Sequence, residues 1–251
     1  MTDELDTIRA GLRELRLAHA ADVIEEEIAR ATKERASYTT LVARLVERER
    51  GRRRDLAYGR RLKAAGFPET RSLDNYDFTF PKKIDARLVR ELATLGFMKA
   101  NEAVWIAGPS GTGKSHIAIA LGMRALAEGS TVLYRTMSKI ARDLLASVAD
   151  HTEERRLRFY ERPDLLIVED LAFANTTPEN MPLIFELFHR RYEHLPIIVT
   201  SNLDGDDAEN TFGQRAMAAA VLDRVLHHAH LVTIDGPSWR AEHRLGKRKS
   251  G

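Results

Sequence analysis

The chain has 251 residues, 43% of them hydrophobic, enough for a buried core built as one large domain or as a core with an appendage. Its 39 basic and 37 acidic residues leave a formal charge of only +2, so composition as a whole says little about nucleic acid; any such signal lies in how the charges are distributed. The absence of cysteine excludes disulfides and cysteine-ligated metals, and no apolar run approaches the ~20 residues of a membrane span. Met1–Asp6 lacks the basic-then-apolar pattern of a secretory signal, so a cytoplasmic location without a membrane partner is expected.

Residues 1–65 contain no proline and no strand-like run. Leu5, Ile8, Leu12 and Leu15, then Val23, Ile24 and Ile28, then Leu41, Leu45 and Val46 recur at steps of three and four. This predicts three amphipathic helices, with breaks near Gly11 or His19 and near Ser37, the third capped by Thr39 or Thr40. The later part of the third helix is basic: Arg44, Arg48, Arg50, Arg52, Arg53, Arg54, Arg60, Arg61 and Lys63 stand against Glu47, Glu49 and Asp55. Such a run is ordinarily a solvated face paired with glutamates. Arg52, Arg53 and Arg54, however, form a surplus that no neighbouring carboxylate is expected to satisfy, which points to phosphate. From 66 to 81 two prolines, a glycine and Phe67, Tyr76, Phe78 and Phe80 read as an extended linker whose aromatics anchor it on the next domain or, as such lead-ins do in phosphate-binding folds, wall the base and sugar of a nucleotide. The expected domains are therefore 1–65, helical; 66–81, linker; and 82–251, catalytic.

After a helix at about Asp85–Leu95, strands are expected at 103–107, 131–135, 165–169, 197–201 and 231–234. Helical patterns lie between them at 114–127, 138–148, 180–194 and 213–228. That alternation gives an α/β fold, a doubly wound parallel sheet of five strands whose ligand loops share the carboxyl edge.

Between the first strand and its helix stands Gly108-Pro109-Ser110-Gly111-Thr112-Gly113-Lys114-Ser115, the G-x-x-x-x-G-K-S phosphate-binding loop of nucleoside triphosphatases. Its glycines permit a tight turn that aims backbone N–H groups at phosphate oxygens, at the positive end of the following helix. Lys114 is expected at the β- and γ-phosphates and Ser115 at Mg²⁺, and His116 completes the candidate ATP-binding stretch. The apolar run Leu165–Val168 ends in Glu169-Asp170: by position Glu169 serves the metal and Asp170 polarises the attacking water. Asn202, after Thr200-Ser201, is placed to hold a water between the γ-phosphate and Asp170, or else simply to form a turn. Arg224 lies among Val221, Leu222, Val225 and Leu226 and is expected on the opposite, exposed side of its helix. There it is either an arginine finger for a neighbouring subunit or a solvated partner of Asp223. His227 and His228 do not face one another and are read as structural.

Together the phosphate loop, Leu165–Asp170, Thr200–Asn202 and Ala220-Val-Leu-Asp-Arg224-Val-Leu-His-His-Ala-His230 resemble the IstB-like ATP-binding proteins, AAA+ helper ATPases of bacterial transposable elements. The likeness extends to Leu15–His19, Arg60–Pro68 and Leu73–Phe78. It implies a P-loop AAA+ core preceded by a small all-helical domain, ATP and Mg²⁺ as cofactors, and self-assembly into a homo-oligomer. The implied partners are double-stranded DNA and a transposase, with Arg52, Arg53, Arg54, Arg60, Arg61 and Lys63 as DNA contacts. By the same likeness Arg224 is the trans-acting finger and Arg240 a second, nucleotide-sensing arginine. The chain departs from the family pattern at Trp239, where tyrosine is typical, and at Glu169, where relatives usually carry aspartate. The DnaC-like helicase loaders share the core, so an adaptor for a replicative helicase is the alternative; a free-standing metabolic P-loop enzyme is a more distant one.

Overall fold

The computed structural model describes residues 2–171, 177–192, 194–203, 216–227 and 229–242. Its contacts separate into two compact units, Met1–Arg60 and Arg61–Gly251, with the division inside a helix.

The first unit is built from α1 (Thr2–Glu14), α2 (Ala18–Glu34) and most of α3 (Tyr38–Ala65). The first break falls between the two expected positions: Gly11 stays in α1, His19 in α2, and Arg16 takes the left-handed turn at φ 59. Arg35, also left-handed, ends α2. Ser37, not Thr39 or Thr40, caps α3: its Oγ accepts from the Thr40 backbone N–H at 3.1 Å, and the helix starts three residues earlier than its apolar pattern. The apolar core here is thin, with Ala20, Ala21, Ile24 and Ala31 buried on α2. Carboxylates complete it: Glu49 accepts the Ala20 N–H at 3.0 Å, and the buried Glu27 pairs with Arg48 at 2.9 Å.

The second unit continues with α4 (Ala86–Leu92), α5 (Gly96–Lys99), β1 (Ala103–Ala107), α6 (Lys114–Ala127), β2 (Val132–Thr136), α7 (Met137–Ala149) and α8 (Glu153–Glu161). It closes with β3 (Leu165–Glu169), α9 (Met181–Arg191), β4 (Ile197–Ser201), α10 (Ala216–His227) and β5 (Ala229–Thr233). The strands form one parallel sheet in the order β2-β3-β4-β1-β5. β1 and β4 are buried throughout and β3 up to Val168, because helices cover both faces of a parallel sheet; β5, at an edge, is largely open. β5 starts two residues before the apolar run that marked it, and β2 is displaced by one. Of the helix expected at 213–228, positions 213–215 and His228 lie outside the described residues. α5 and α8 had no counterpart in the sequence reading.

Ala107 pairs with Ser201 and Thr233, and Thr136 with Glu169, so the carboxyl ends of the strands are level. Because β3, β4 and β1 are neighbours, the loops after Glu169, Ser201 and Ala107 adjoin. The opposite edge is held by Arg191, only 1% exposed, whose Nη1 donates to the carbonyls of Tyr160, Glu161 and Pro163 and whose Nη2 donates to that of Pro196. This ties the end of α8 to the starts of β3 and β4; burial pulls the guanidinium pKa down to about 10. No helix among the described residues is long and apolar enough to cross a membrane.

Candidate nucleotide-binding site

Beyond Ala107 the chain turns under two constraints that only glycine meets. At Gly108, φ is 149° and a Cβ would lie 2.1 Å from the Ile234 carbonyl oxygen; at Gly113, φ is 100° and a Cβ would lie 2.6 Å from Tyr76 Cε2. Gly113 precedes α6, whose first N–H groups therefore open into the loop. Lys114 is 7% exposed and folds inward, donating from Nζ to the carbonyls of Gly108 (2.7 Å) and Pro109 (2.9 Å) and to Asn202 Oδ1 (2.8 Å). Burial lowers its pKa, while the charges of Glu169 and Asp170 act the other way.

Asn202 turns its other end to Asp170, donating from Nδ2 to Oδ1 at 3.2 Å, so Lys114, Asn202 and Asp170 form one chain. Asp170 is left-handed, at φ 58°. Thr200 holds that turn by accepting the Asp170 N–H at its Oγ1 (2.9 Å) and the Leu171 N–H at its carbonyl (2.8 Å). Ser115 Oγ donates to Glu169 Oε1, while Glu169 Oε2 is buried without a hydrogen-bond partner. Burial, and then the charge of Glu169, push the phenol of Tyr134 on β2 upward.

The 66–81 segment supplies the other wall. Tyr76 Oη donates to the Thr112 carbonyl at 3.2 Å, and its ring meets His116 edge-on at 5.2 Å between centroids. Burial, then Asp77, push its phenol up to about 12. His116 Nε2 donates to the Ser72 carbonyl at 2.8 Å, which fixes the tautomer. Phe80 packs edge-on against Trp239 at 4.6 Å, and the Trp239 backbone N–H donates to the Gly111 carbonyl at 3.0 Å. A cleft of about 250 Å³ results, bordered by Tyr76, Phe80, Gly111–His116, Trp239 and Arg240. The loop, Glu169, Asp170, Asn202 and Arg240 are thus brought to one edge of the sheet. Sequence reasoning took Tyr76 chiefly as a packing anchor, used Thr200 only as part of the family likeness and gave Tyr134 no role beyond its strand; their three-dimensional neighbours reveal what they hold.

The family profile of the IstB-like ATP binding proteins matches residues 10–247. The chain belongs to that family. It is 35% identical over 240 residues to a Pseudomonas aeruginosa relative named as an ATP-binding protein of insertion sequence IS21, covering 96% of this chain and 89% of the relative. It is 31% identical over 244 residues to one from Mycobacterium tuberculosis named as an ATP-binding protein in an insertion sequence, covering 97% of each. Among solved structures, the DnaC helicase loader superposes with TM-score 0.54 at 17% identity, over 70% of this chain and 99% of that one. The replication initiator DnaA bound to AMPPCP and single-stranded DNA superposes with TM-score 0.54 at 22% identity, over 65% of this chain and 49% of that one. These likenesses show the P-loop AAA+ fold.

In this IstB-like protein Arg224 is not on a free face, as its spacing implied. It is half-buried, with its guanidinium carbon 4.6 Å from the centroid of the Phe185 ring and Nη1 donating to the Ala220 carbonyl at 2.9 Å. It borders a cleft with Ala103 and Ile197, the first residues of β1 and β4, whereas Lys114 lies beyond the far end of β1. His227 Nδ1 lies 3.4 Å from Tyr192 Oη, and among the described residues no group of side chains suits a metal ion by histidine, aspartate and glutamate clustering.

The basic stretch also differs from its sequence reading, because carboxylates of α2 and α3 neutralise much of it. Arg44 pairs with Glu34, Arg48 with Glu26 and Glu27, and Arg50 and Arg54 with Glu47. Arg53 pairs with Glu49 at 2.8 Å and donates to the Arg16 carbonyl at 2.6 Å, which makes it a tie within the helical unit. The expected surplus at Arg52–Arg54 therefore reduces to Arg52. Arg61 donates to the Leu126 carbonyl at the end of α6 (3.3 Å), a helix-capping contact. Arg52, Arg60 and Lys63 are exposed and make no hydrogen bond or ion pair among the described residues.

Proposed function

We propose that this chain is a Mg²⁺-dependent ATPase that assembles on double-stranded DNA and hands it to a transposase, with hydrolysis timing disassembly. The observation that carries the ATPase reading is the Lys114–Asn202–Asp170 chain beside the Ser115–Glu169 pair. Ser115 Oγ and the orphaned Glu169 Oε2 are hard oxygen donors of the kind Mg²⁺ takes, and they fit it as holder residues. Bound there, Mg²⁺ supplies charge neutralisation at the phosphates. The rest falls to the protein. Lys114 exchanges its carbonyl partners for β- and γ-phosphate oxygens, and the loop N–H groups and Arg240 hold the phosphates. Asp170 accepts the proton of the water that attacks the γ-phosphorus as the bond to ADP breaks, and Asn202 keeps Asp170 in line with that water. Glu169, one methylene longer than the family's usual aspartate, reaches Ser115 from the last residue of β3.

Arg224 cannot serve its own Lys114 site, since β1 alone sets the two sheet edges ~13 Å apart at 3.3 Å per residue. A finger acting on the next subunit fits that placement. Arg52, Arg60 and Lys63 are the cations of the basic stretch left to contact DNA phosphates, and Arg54 joins them if Glu47 releases it. Transposition is favoured over helicase loading because the relatives above 30% identity are named for insertion sequences, whereas the likeness to the DnaC loader rests on fold.

Mixing tests the shared site. Arg224→Ala and Lys114→Ala proteins, each inactive alone, are expected to regain ATPase activity together, because one supplies the loop and the other the finger. Full activity of Arg224→Ala alone would remove the assembly reading.

A further inference from the structure

The helix α8, Glu-Glu-Arg-Arg-Leu-Arg-Phe-Tyr-Glu, buries only Leu157 and Tyr160, the latter donating to Asp143 Oδ2 at 2.7 Å, and its end is tied down by Arg191. Its remaining side chains face outward or along the surface. Most of its acids are committed. Glu154 accepts from Arg190 at 2.8 Å and from Arg158 at 2.7 Å, which hold its carboxyl down to about 2. Glu161 lies 3.5 Å from Arg190, and Asp164, just past the helix, accepts the backbone N–H and the hydroxyl of Thr131. Its cations are less committed. The side chains of Arg155 and Arg162 have neither hydrogen bond nor ion pair among the described residues. Arg155, Arg158 and Arg162, together with Glu154, border a groove also lined by Ala64, Val132, Leu133 and Pro163. Phe159, 42% exposed, stands in that groove, with Arg156 over its ring at 5.6 Å.

We infer that this face of α8 is a second DNA-binding surface, located on the ATPase unit: Arg155 and Arg162 contact phosphates, and Phe159 packs against the sugar and base edges between them. Seven residues separate Arg155 from Arg162, about 10 Å of helix axis. A DNA strand presents a phosphate every ~3.4 Å of axial rise, so the two arginines span about three nucleotides. Cations around an exposed aromatic ring match the demands of a strand that carries both charge and flat apolar surface, and no base-reading group is present, so binding is indifferent to sequence. The surface rests on the DNA-binding reading above but not on the α3 arginines.

The test is DNA affinity against salt for the full chain, by fluorescence anisotropy with labelled duplex and with single strand. Arg155→Ala/Arg162→Ala is expected to lower the slope of log affinity against log salt by about two units. At ~0.1 M salt this corresponds to an affinity loss of roughly 50-fold. Phe159→Leu is expected to weaken binding several-fold with the slope unchanged. Arg52→Ala/Arg60→Ala is run in parallel, and all variants are checked by thermal melting, which exposed α8 changes should not move. If the α3 pair weakens binding and the α8 pair alters neither affinity nor slope, the α8 surface is overturned and the DNA reading stands. If the wild-type chain binds neither duplex nor single strand, the DNA reading fails and takes this surface with it.

Discussion

Gly113→Ala probes the contact that closes the 66–81 segment over the phosphate loop. An alanine at φ 100° carries an intrinsic backbone cost of about 1–2 kcal/mol. Its Cβ would also lie 2.6 Å from Tyr76 Cε2 and 3.0 Å from Tyr76 Oη, so the ring must move off the loop. That breaks the Tyr76–Thr112 hydrogen bond, for about 1 kcal/mol more. The total of roughly 2–3 kcal/mol lowers the melting temperature by about 4–12 °C for a unit of this size. To the extent that ATP binding reorders the displaced ring, it also weakens nucleotide affinity by up to about 100-fold. The assay is thermal melting together with titration of a fluorescent ATP analogue, for Gly113→Ala, Tyr76→Ala and the double variant. The double variant is expected to recover the clash but not the backbone strain, so its cost is less than the sum of the singles. Strict additivity, or a Gly113→Ala protein with wild-type melting and affinity, would refute the contact.

Three further outcomes follow from the same geometry. Lys114→Ala removes the only buried ammonium in the loop and is expected to abolish tight ATP binding, read by equilibrium titration; folding persists, because two of the three partners of Nζ, Pro109 and Asn202, are exposed and can turn to water. Arg191→Met removes the donor to the carbonyls of Tyr160, Glu161, Pro163 and Pro196, of which that of Pro196 keeps the Leu166 N–H, and is expected to cost about 3–5 kcal/mol in urea-denaturation stability. Glu154 has a folded pKa of about 2 against an ordinary 4.5, so what it contributes is fully present above pH 4.5 and is lost as pH falls towards 2. The acid-induced fall in melting temperature should therefore be shallower in Glu154→Gln than in wild type, and the difference small because the pair is exposed.

What could be read from the sequence was local. The phosphate loop is eight consecutive residues between a strand and a helix, and the carboxyl-edge residues Glu169, Asp170 and Asn202 follow directly from apolar runs whose ends are visible. α8 escaped because only Leu157 and Tyr160 point inward, three apart, and the arginines around them give no apolar period. The basic stretch of α3 was misread in two ways: Arg44 and Arg48 find Glu26, Glu27 and Glu34 on another helix, up to 22 residues away, while Arg53 and Arg54 pair with Glu49 and Glu47 on their own helix, local partners that the reading discounted. Arg224 looked exposed because Phe185 lies 39 positions earlier and on α9. Tyr76 reaches Thr112 across 36 residues, a distance over which spacing carries no information. At Arg224 and Tyr76 a long-range contact overrides a correct local pattern.

The measurement that bears most directly on the proposed ATPase is the rate of ATP hydrolysis with Mg²⁺, with and without duplex DNA, for wild type and Asp170→Asn. Wild type is expected to turn over ATP, faster with DNA, while Asp170→Asn binds ATP with near-normal affinity and hydrolyses it at least ~100-fold more slowly, as the loss of a general base requires. A wild-type chain that binds but never hydrolyses ATP, or an Asp170→Asn protein that keeps its rate, would contradict the account.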